Sequence, residues 1–130
     1  MHIHDGYAVK AASLAGYRIC VITGGNSAGV RKRFAALGIH DYYSGVQDKS
    51  EVLRAYAERH AFDLATALYM GDDVPDVGPM RAVGLACAPA DARPEALSAA
   101  HYISRLAGGN GCVRDVVERV LMLNGHWPAT

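Results

Sequence analysis

The sequence predicts an α/β fold in which a parallel sheet carries helices on both faces. Helical and extended segments alternate along the chain, and Ile19-Cys20-Val21-Ile22 is a continuous apolar run, as expected of a strand covered on both sides. Residues 7–15 carry Ala8, Val9, Ala11, Ala12 and Leu14, good helix formers, with Gly16 placed to close the helix in a left-handed conformation. Residues 17–23 read as the first strand. From 27 to 37, Val30, Phe34 and Leu37 fall four and three apart, the spacing of an amphipathic helix, and Gly38 closes it. Residues 39–45 form a short, Tyr-containing extended stretch. Asp48 and Glu51 stand three apart as a capping box for a helix running to about His60. A strand at 67–70, a short helix at 75–83 ended by Gly84, a strand at 85–88, a helix starting at Pro94 and an edge strand at 101–103 follow. Val113, Val116, Val117, Val120 and Leu121 give the last helix an apolar face, and Gly125 ends it.

At 130 residues the chain reads as one domain spanning 1–130, large enough for a single core and too short for two. Thirteen basic and thirteen acidic residues cancel without forming a basic stripe. This argues against nucleic acid and against an anionic membrane surface, and leaves a small charged metabolite as the open class of partner. No apolar run approaches the ~20 residues of a membrane span, so no membrane partner is expected and the expected location is cytoplasmic. Cys20, Cys87 and Cys112 are far apart in apolar surroundings, which fits reduced, packed thiols rather than disulfides or zinc. His2 and His4 alternate as neighbours on a surface strand would.

Chemistry concentrates at Gly71-Asp72-Asp73-Val74-Pro75-Asp76, directly after a strand. Magnesium takes oxygen ligands, keeps several waters and needs only one or two carboxylates, so this cluster suits it. The competing explanation is local: Asp72 or Asp73 caps a helix that begins near Pro75. In open parallel sheets ligands bind beyond the carboxyl ends of the strands, so the turns there belong together. They are Thr23-Gly24-Gly25-Asn26-Ser27, Asp48-Lys49 and Gly71-Asp72-Asp73. A hydroxyl, backbone N–H groups, an ammonium and a carboxylate-held cation are the parts that grip a phosphoryl group.

Ile22-Thr23-Gly24, Lys49 and Gly71-Asp72-Asp73-x-x-Asp76 resemble motifs two, three and four of the haloacid dehalogenase superfamily of phosphatases, in order. Asp5-Gly6-Tyr7, Val83-Gly84-Leu85, Pro89-Ala90-Asp91-Ala92 and Gly108-Gly109-x-Gly111-x-x-Arg114-Asp115 are similar to its capless branch, which contains 3-deoxy-D-manno-octulosonate 8-phosphate phosphatase. The resemblance implies a Rossmann-like three-layer fold and a magnesium-dependent phosphomonoesterase that acts on a sugar-acid phosphate, usually as a homotetramer. It implies that Thr23 and the Gly24 N–H bind the phosphoryl oxygens and that Lys49 neutralises the transferring group. Asp72 would ligate Mg2+ directly, while Asp73 and Asp76 position Lys49 or metal-bound waters. Arg114 is the residue assigned to the sugar-acid carboxylate.

The family's first motif, Asp-x-Asp-Gly, which supplies the nucleophile and a general acid/base, has no counterpart in these 130 residues. The resemblance implies that the first central strand, between those ending at Thr23 and Met70, is missing, which leaves two unpaired inner edges. The favoured expectation is a fragment of a normal enzyme, inert as it stands. Keeping Thr23, Lys49, Asp72, Asp73 and Asp76 together supports this, since a chain freed from catalysis has no evident reason to retain them all. Gly25 and Asn110 stand where many members carry Arg, which makes the substrate less certain than the reaction. The alternatives are a phosphatase of a nine-carbon keto-deoxy sugar acid 9-phosphate and a non-catalytic oligomerising module associated with a cytidylyltransferase.

Overall fold

The computed structural model describes residues 10–26, 28–107 and 111–125. In chain order its elements are α1 (residues 10–14), β1 (Cys20–Ile22), α2 (Ala28–Ala36), β2 (Asp41–Tyr43), α3 (Lys49–Arg59), β3 (Leu68–Met70), α4 (Val77–Ala82), β4 (Leu85–Ala88), α5 (Pro94–Ala99), β5 (Tyr102–Ile103) and α6 (Cys112–Leu123), with single 3-10 turns at Leu64–Thr66 and Val74–Asp76. The fold is α/β and every strand pair is parallel. The chain packs as two compact units, Met1–Gly45 with Gly109–Thr130, and Val46–Gly108.

In the first unit β1 pairs with β2, Cys20 opposite Asp41 and Ile22 opposite Tyr43. Its core joins Ala11 and Ala12 of α1 to Leu121 of α6, with Tyr17, Ile19 and Val117 packed around them. Helix α2 lies on β2 through Phe34 and Tyr42, whose ring centroids are 5.9 Å apart, and the Arg31 guanidinium covers the Tyr42 ring at 5.0 Å. Gly16, expected to be left-handed, has a φ of 92°, and Gly38 and Gly125, expected to end their helices, also have positive φ, 89° and 74°. One expectation differs: the apolar run at 19–22 predicts a strand buried on both faces, yet all three residues of β1 are only part-buried. Among the described residues β1 has a neighbour on one edge only, and so receives half the cover of an interior strand.

The second unit holds the sheet β3-β4-β5, so β4 is central. Ala86, Cys87 and Ala88 are at most 1% exposed, and their small side chains let α4 and α5 approach the sheet. Asp48 caps α3 by accepting the Glu51 N–H at 3.2 Å. Gly84 ends its segment as expected, for a reason the sequence does not show. Its φ is not positive; a Cβ there would run into the Ala65 carbonyl, so glycine is required by the close approach of the 64–66 turn. Before β5, His101 acts as a strand residue twice over: its N–H donates to the Ala86 carbonyl at 2.8 Å and its Nδ1 accepts the Ala86 N–H at 2.8 Å.

Among the described residues no helix is long and apolar enough to cross a membrane. The three cysteines are reduced thiols and form no disulfide. Cys87 and Cys112 are buried, while burial and the nearby Asp41 carboxylate push the part-buried Cys20 thiol up to about 12, which makes it unreactive. His2, His4, Asp5-Gly6 and Gly108-Gly109-Asn110 lie outside the described residues.

Candidate functional site

The acidic turn is built from β3 outward. Strand alternation puts Leu68 and Met70 on one face of the sheet and Tyr69 on the other. Gly71 follows, and a Cβ on it would collide with the Asp76 side chain and come within 2.9 Å of Met80 Sδ, so only glycine lets Asp76 fold back against the strand end. Asp73 then takes the capping role foreseen for this turn. Its Oδ1 accepts the Val74 N–H at 2.7 Å, and it forms a reciprocal capping box with Asp76 across the 3-10 turn that leads into α4.

Asp76 is the centre of the arrangement. It is 4% exposed, and its two oxygens accept four hydrogen bonds. Oδ1 takes Lys49 Nζ at 2.9 Å and the Tyr69 hydroxyl at 2.7 Å; Oδ2 takes the backbone N–H of Asp72 at 3.0 Å and of Asp73 at 3.2 Å. A carboxylate offers about four acceptor positions, so Asp76 is filled from within. Burial by itself raises the Asp76 carboxyl, but the donors Tyr69, Lys49 and Asp72 N–H outweigh it and hold it below the usual carboxylate range.

Lys49 is the first residue of α3, where the helix dipole disfavours a cation. The ion pair with Asp76 offsets that cost and keeps the ammonium, 16% exposed at its side chain, in one place. Only one of its three N–H groups is needed for Asp76.

Asp72 differs from its neighbours. Its residue is exposed, and its backbone carbonyl accepts the Arg93 N–H at 2.9 Å, which ties the turn after β3 to the turn after β4. Partial burial raises the Asp72 carboxyl, the Asp76 charge and hydrogen bond add to this, Asp73 contributes further, and Lys49 acts in the opposite sense. A hard oxygen crowded by two other carboxylates is one whose charge a divalent cation would relieve. Among the described residues no three His, Cys, Asp or Glu side chains form a cage. The turn therefore fits an ion that retains most of its waters, as Mg2+ does, better than zinc.

In the other unit, Thr23 Oγ1 accepts the Gly25 N–H at 3.1 Å, and the Gly25 carbonyl accepts the Gly45 N–H at 2.8 Å. The Thr23 hydroxyl thus serves as acceptor inside the turn. Gly24, Gly25 and Asn26 are exposed.

No family model matches the chain. Individual proteins do. The 3-deoxy-D-manno-octulosonate 8-phosphate phosphatase KdsC of Escherichia coli is 36% identical over 124 residues, which cover 95% of this chain and 66% of that protein. The crystal structure of the Yersinia pestis 3-deoxy-D-manno-octulosonate 8-phosphate phosphatase superposes with a TM-score of 0.95 at 31% identity, covering 99% of this chain and 70% of that one. The chain belongs to the 3-deoxy-D-manno-octulosonate 8-phosphate phosphatase family. The Moraxella catarrhalis phosphatase, solved in complex with a magnesium ion, a phosphate ion and a KDO molecule, matches with a TM-score of 0.91 at 31% identity over 94% of this chain and 70% of that one. The chain spans 66% of the length of the Escherichia coli relative.

As a member of this family, the chain shows which residues of the second unit come together. Lys49 and Asp76 are in direct contact, and Asp72 and Asp73 are held to Asp76 through their backbone N–H groups. Arg114, on α6, forms an i,i+4 pair with Glu118 at 3.3 Å. Sequence reasoning gave no role to Tyr69, nor to Gly71 beyond its place in the acidic turn. A Tyr with its side chain opposite two apolar neighbours, two residues before an acidic turn, was the available signal for the first.

Proposed function

We propose that this chain carries the phosphate- and metal-binding machinery of a magnesium-dependent phosphomonoesterase that acts on a sugar-acid phosphate, in a single phosphatase domain. The observation that carries the reading is Lys49 held by buried Asp76 next to the exposed, charge-crowded Asp72. Phosphoryl transfer depends on positioning and charge stabilisation more than on elaborate covalent chemistry, and these residues supply both.

Lys49 neutralises charge on the phosphoryl oxygens through the N–H groups Asp76 does not use. Thr23 donates its hydroxyl proton to a phosphoryl oxygen, and the exposed Gly24 N–H is available beside it. Asp72 holds the magnesium ion directly, with Asp73 contributing from its capped position; when bound, the ion supplies positive charge to the phosphoryl oxygens. Arg114 is assigned to the substrate carboxylate. The 130 residues contain no Asp-x-Asp-Gly, so the chain by itself binds phosphate and does not turn over. The names of its relatives favour the eight-carbon over the nine-carbon substrate. A homotetramer, which the family resemblance implies, and a cytoplasmic location, which three reduced thiols suit, complete the reading.

Calorimetry with inorganic phosphate, with and without Mg2+, tests the site. Binding that requires Mg2+, disappears in Asp72→Ala and is weakened but still measurable in Lys49→Ala is the expected result, and absence of Mg2+-dependent binding overturns it. Phosphate release from the eight- and nine-carbon substrates tests the rest: turnover abolished by Asp72→Ala refutes the claim that these residues alone are inert.

A further inference from the structure

We propose that Tyr69 is a positioning residue for Lys49, acting through Asp76. This rests on the reading above that Lys49 receives a phosphoryl anion. The phenol and the ammonium meet on a single atom, Asp76 Oδ1, at 2.7 and 2.9 Å, while Oδ2 is occupied by the two backbone N–H groups of the acidic turn. With three fixed donors, two of them backbone and one on a stiff aromatic side chain anchored in β3, the carboxylate plane has one orientation. The only flexible donor is Lys49, whose long side chain must then adopt the position Oδ1 dictates. Without the phenol, Oδ1 has the lysine alone, and the pair can slide together by rotation of both side chains.

A simpler role is that Tyr69 satisfies its own part-buried hydroxyl. The two roles differ in one respect: a positioning role depends on Lys49, and a stabilising role does not. The experiment uses the 130-residue chain, Tyr69→Phe, Lys49→Ala and the double variant. In ligand-free protein carrying 15N-labelled lysine, one ammonium resonance, identified by its loss in Lys49→Ala, is expected to be sharp in the parent chain and broadened or lost in Tyr69→Phe. With saturating Mg2+, Tyr69→Phe is expected to weaken inorganic phosphate binding about fivefold, the worth of one hydrogen bond. In the Lys49→Ala background the same change is expected to alter phosphate affinity by less than about twofold, as non-additivity of coupled residues requires. An unchanged ammonium resonance in Tyr69→Phe overturns the proposal, as does an equal loss of affinity with and without Lys49. If the resonance responds but the parent chain binds no phosphate, Tyr69 positions Lys49 and it is the phosphate reading that falls.

Discussion

The turn after β1 and the turn after β3 both leave a short parallel strand and lead toward a helix, yet one is open and the other closed on itself. Among the described residues Thr23-Gly24-Gly25-Asn26 is held by one side-chain hydrogen bond and two backbone bonds, and three of its four residues are exposed. Gly71-Asp72-Asp73 wraps a carboxylate that is 4% exposed and accepts four donors. The difference separates two ways of presenting polar groups. In the first, most of the turn is exposed and no buried group organises it. In the second, a buried anion fixes the geometry in advance, so one cation and one carboxylate are displayed without reorganisation.

The most severe test of this contrast is Asp76→Ala. It strands the Lys49 ammonium, the Tyr69 hydroxyl and two backbone N–H groups, and is expected to cost about 3 kcal/mol in urea denaturation, as loss of one member of a buried pair does. A cost below about 1 kcal/mol would mean that the closed turn is held no better than a surface ion pair. Next come the glycines. Gly71→Ala drives a Cβ into Asp76 and is expected to cost about 2 kcal/mol, whereas Gly25→Ala meets only Thr23 Oγ1 at 3.5 Å and is expected to change stability by less than about 0.5 kcal/mol. Equal costs in thermal melts would erase the distinction.

The acid limb of stability separates the turns further. Asp76 is depressed in the folded chain, so its contribution is complete above the unfolded carboxylate value near ~3.9 and is lost as pH falls through its lower folded value. Asp72 is raised and works in the opposite sense, favouring the folded chain as pH falls, so it offsets part of that loss. Asp76→Asn is therefore expected to flatten the stability profile below about pH 4, measured by urea midpoints, while Thr23→Val leaves that profile unchanged. The smallest effect is expected from Thr23→Val on stability itself, within about 0.5 kcal/mol. Its expected signature is instead a phosphate affinity about fivefold weaker.

Local chemistry was legible in the sequence where a side chain acts on its own neighbourhood. Strand β4 and helix α5 fall where Leu85–Ala88 and Pro94 placed them, Asp48 caps α3, and Gly16, Gly38 and Gly125 close their helices at positive φ. Taken alone, the acidic turn reads equally as a helix cap and as a metal site, and it is Thr23, Lys49 and the family resemblance that favour magnesium with Asp72 as its ligand. The structure divides the turn's three aspartates: Asp73 caps, Asp76 is enclosed, and Asp72 faces outward. What was not legible depends on contacts between segments distant in the chain. The Arg93 N–H on the Asp72 carbonyl, the 64–66 turn against Gly84 and the imidazole of His101 on Ala86 leave no periodic trace. The half-covered state of β1 follows from the number of its neighbours, which an apolar run does not encode.

The enclosure of Asp76 also changes what mutational drift can tell about this chain. Keeping Thr23, Lys49, Asp72, Asp73 and Asp76 together supports a fragment of a normal enzyme, but Gly71 is required by volume, Asp73 by its cap and Asp76 by four donors, all of which serve folding. A library selected only for folded protein would hold positions 71, 73 and 76 nearly fixed while position 72 diversifies. Asp72 alone of the turn's carboxylates is neither a cap nor enclosed, so under the proposed function its identity in a descendant separates a chain that binds the ion from one that has merely stayed folded.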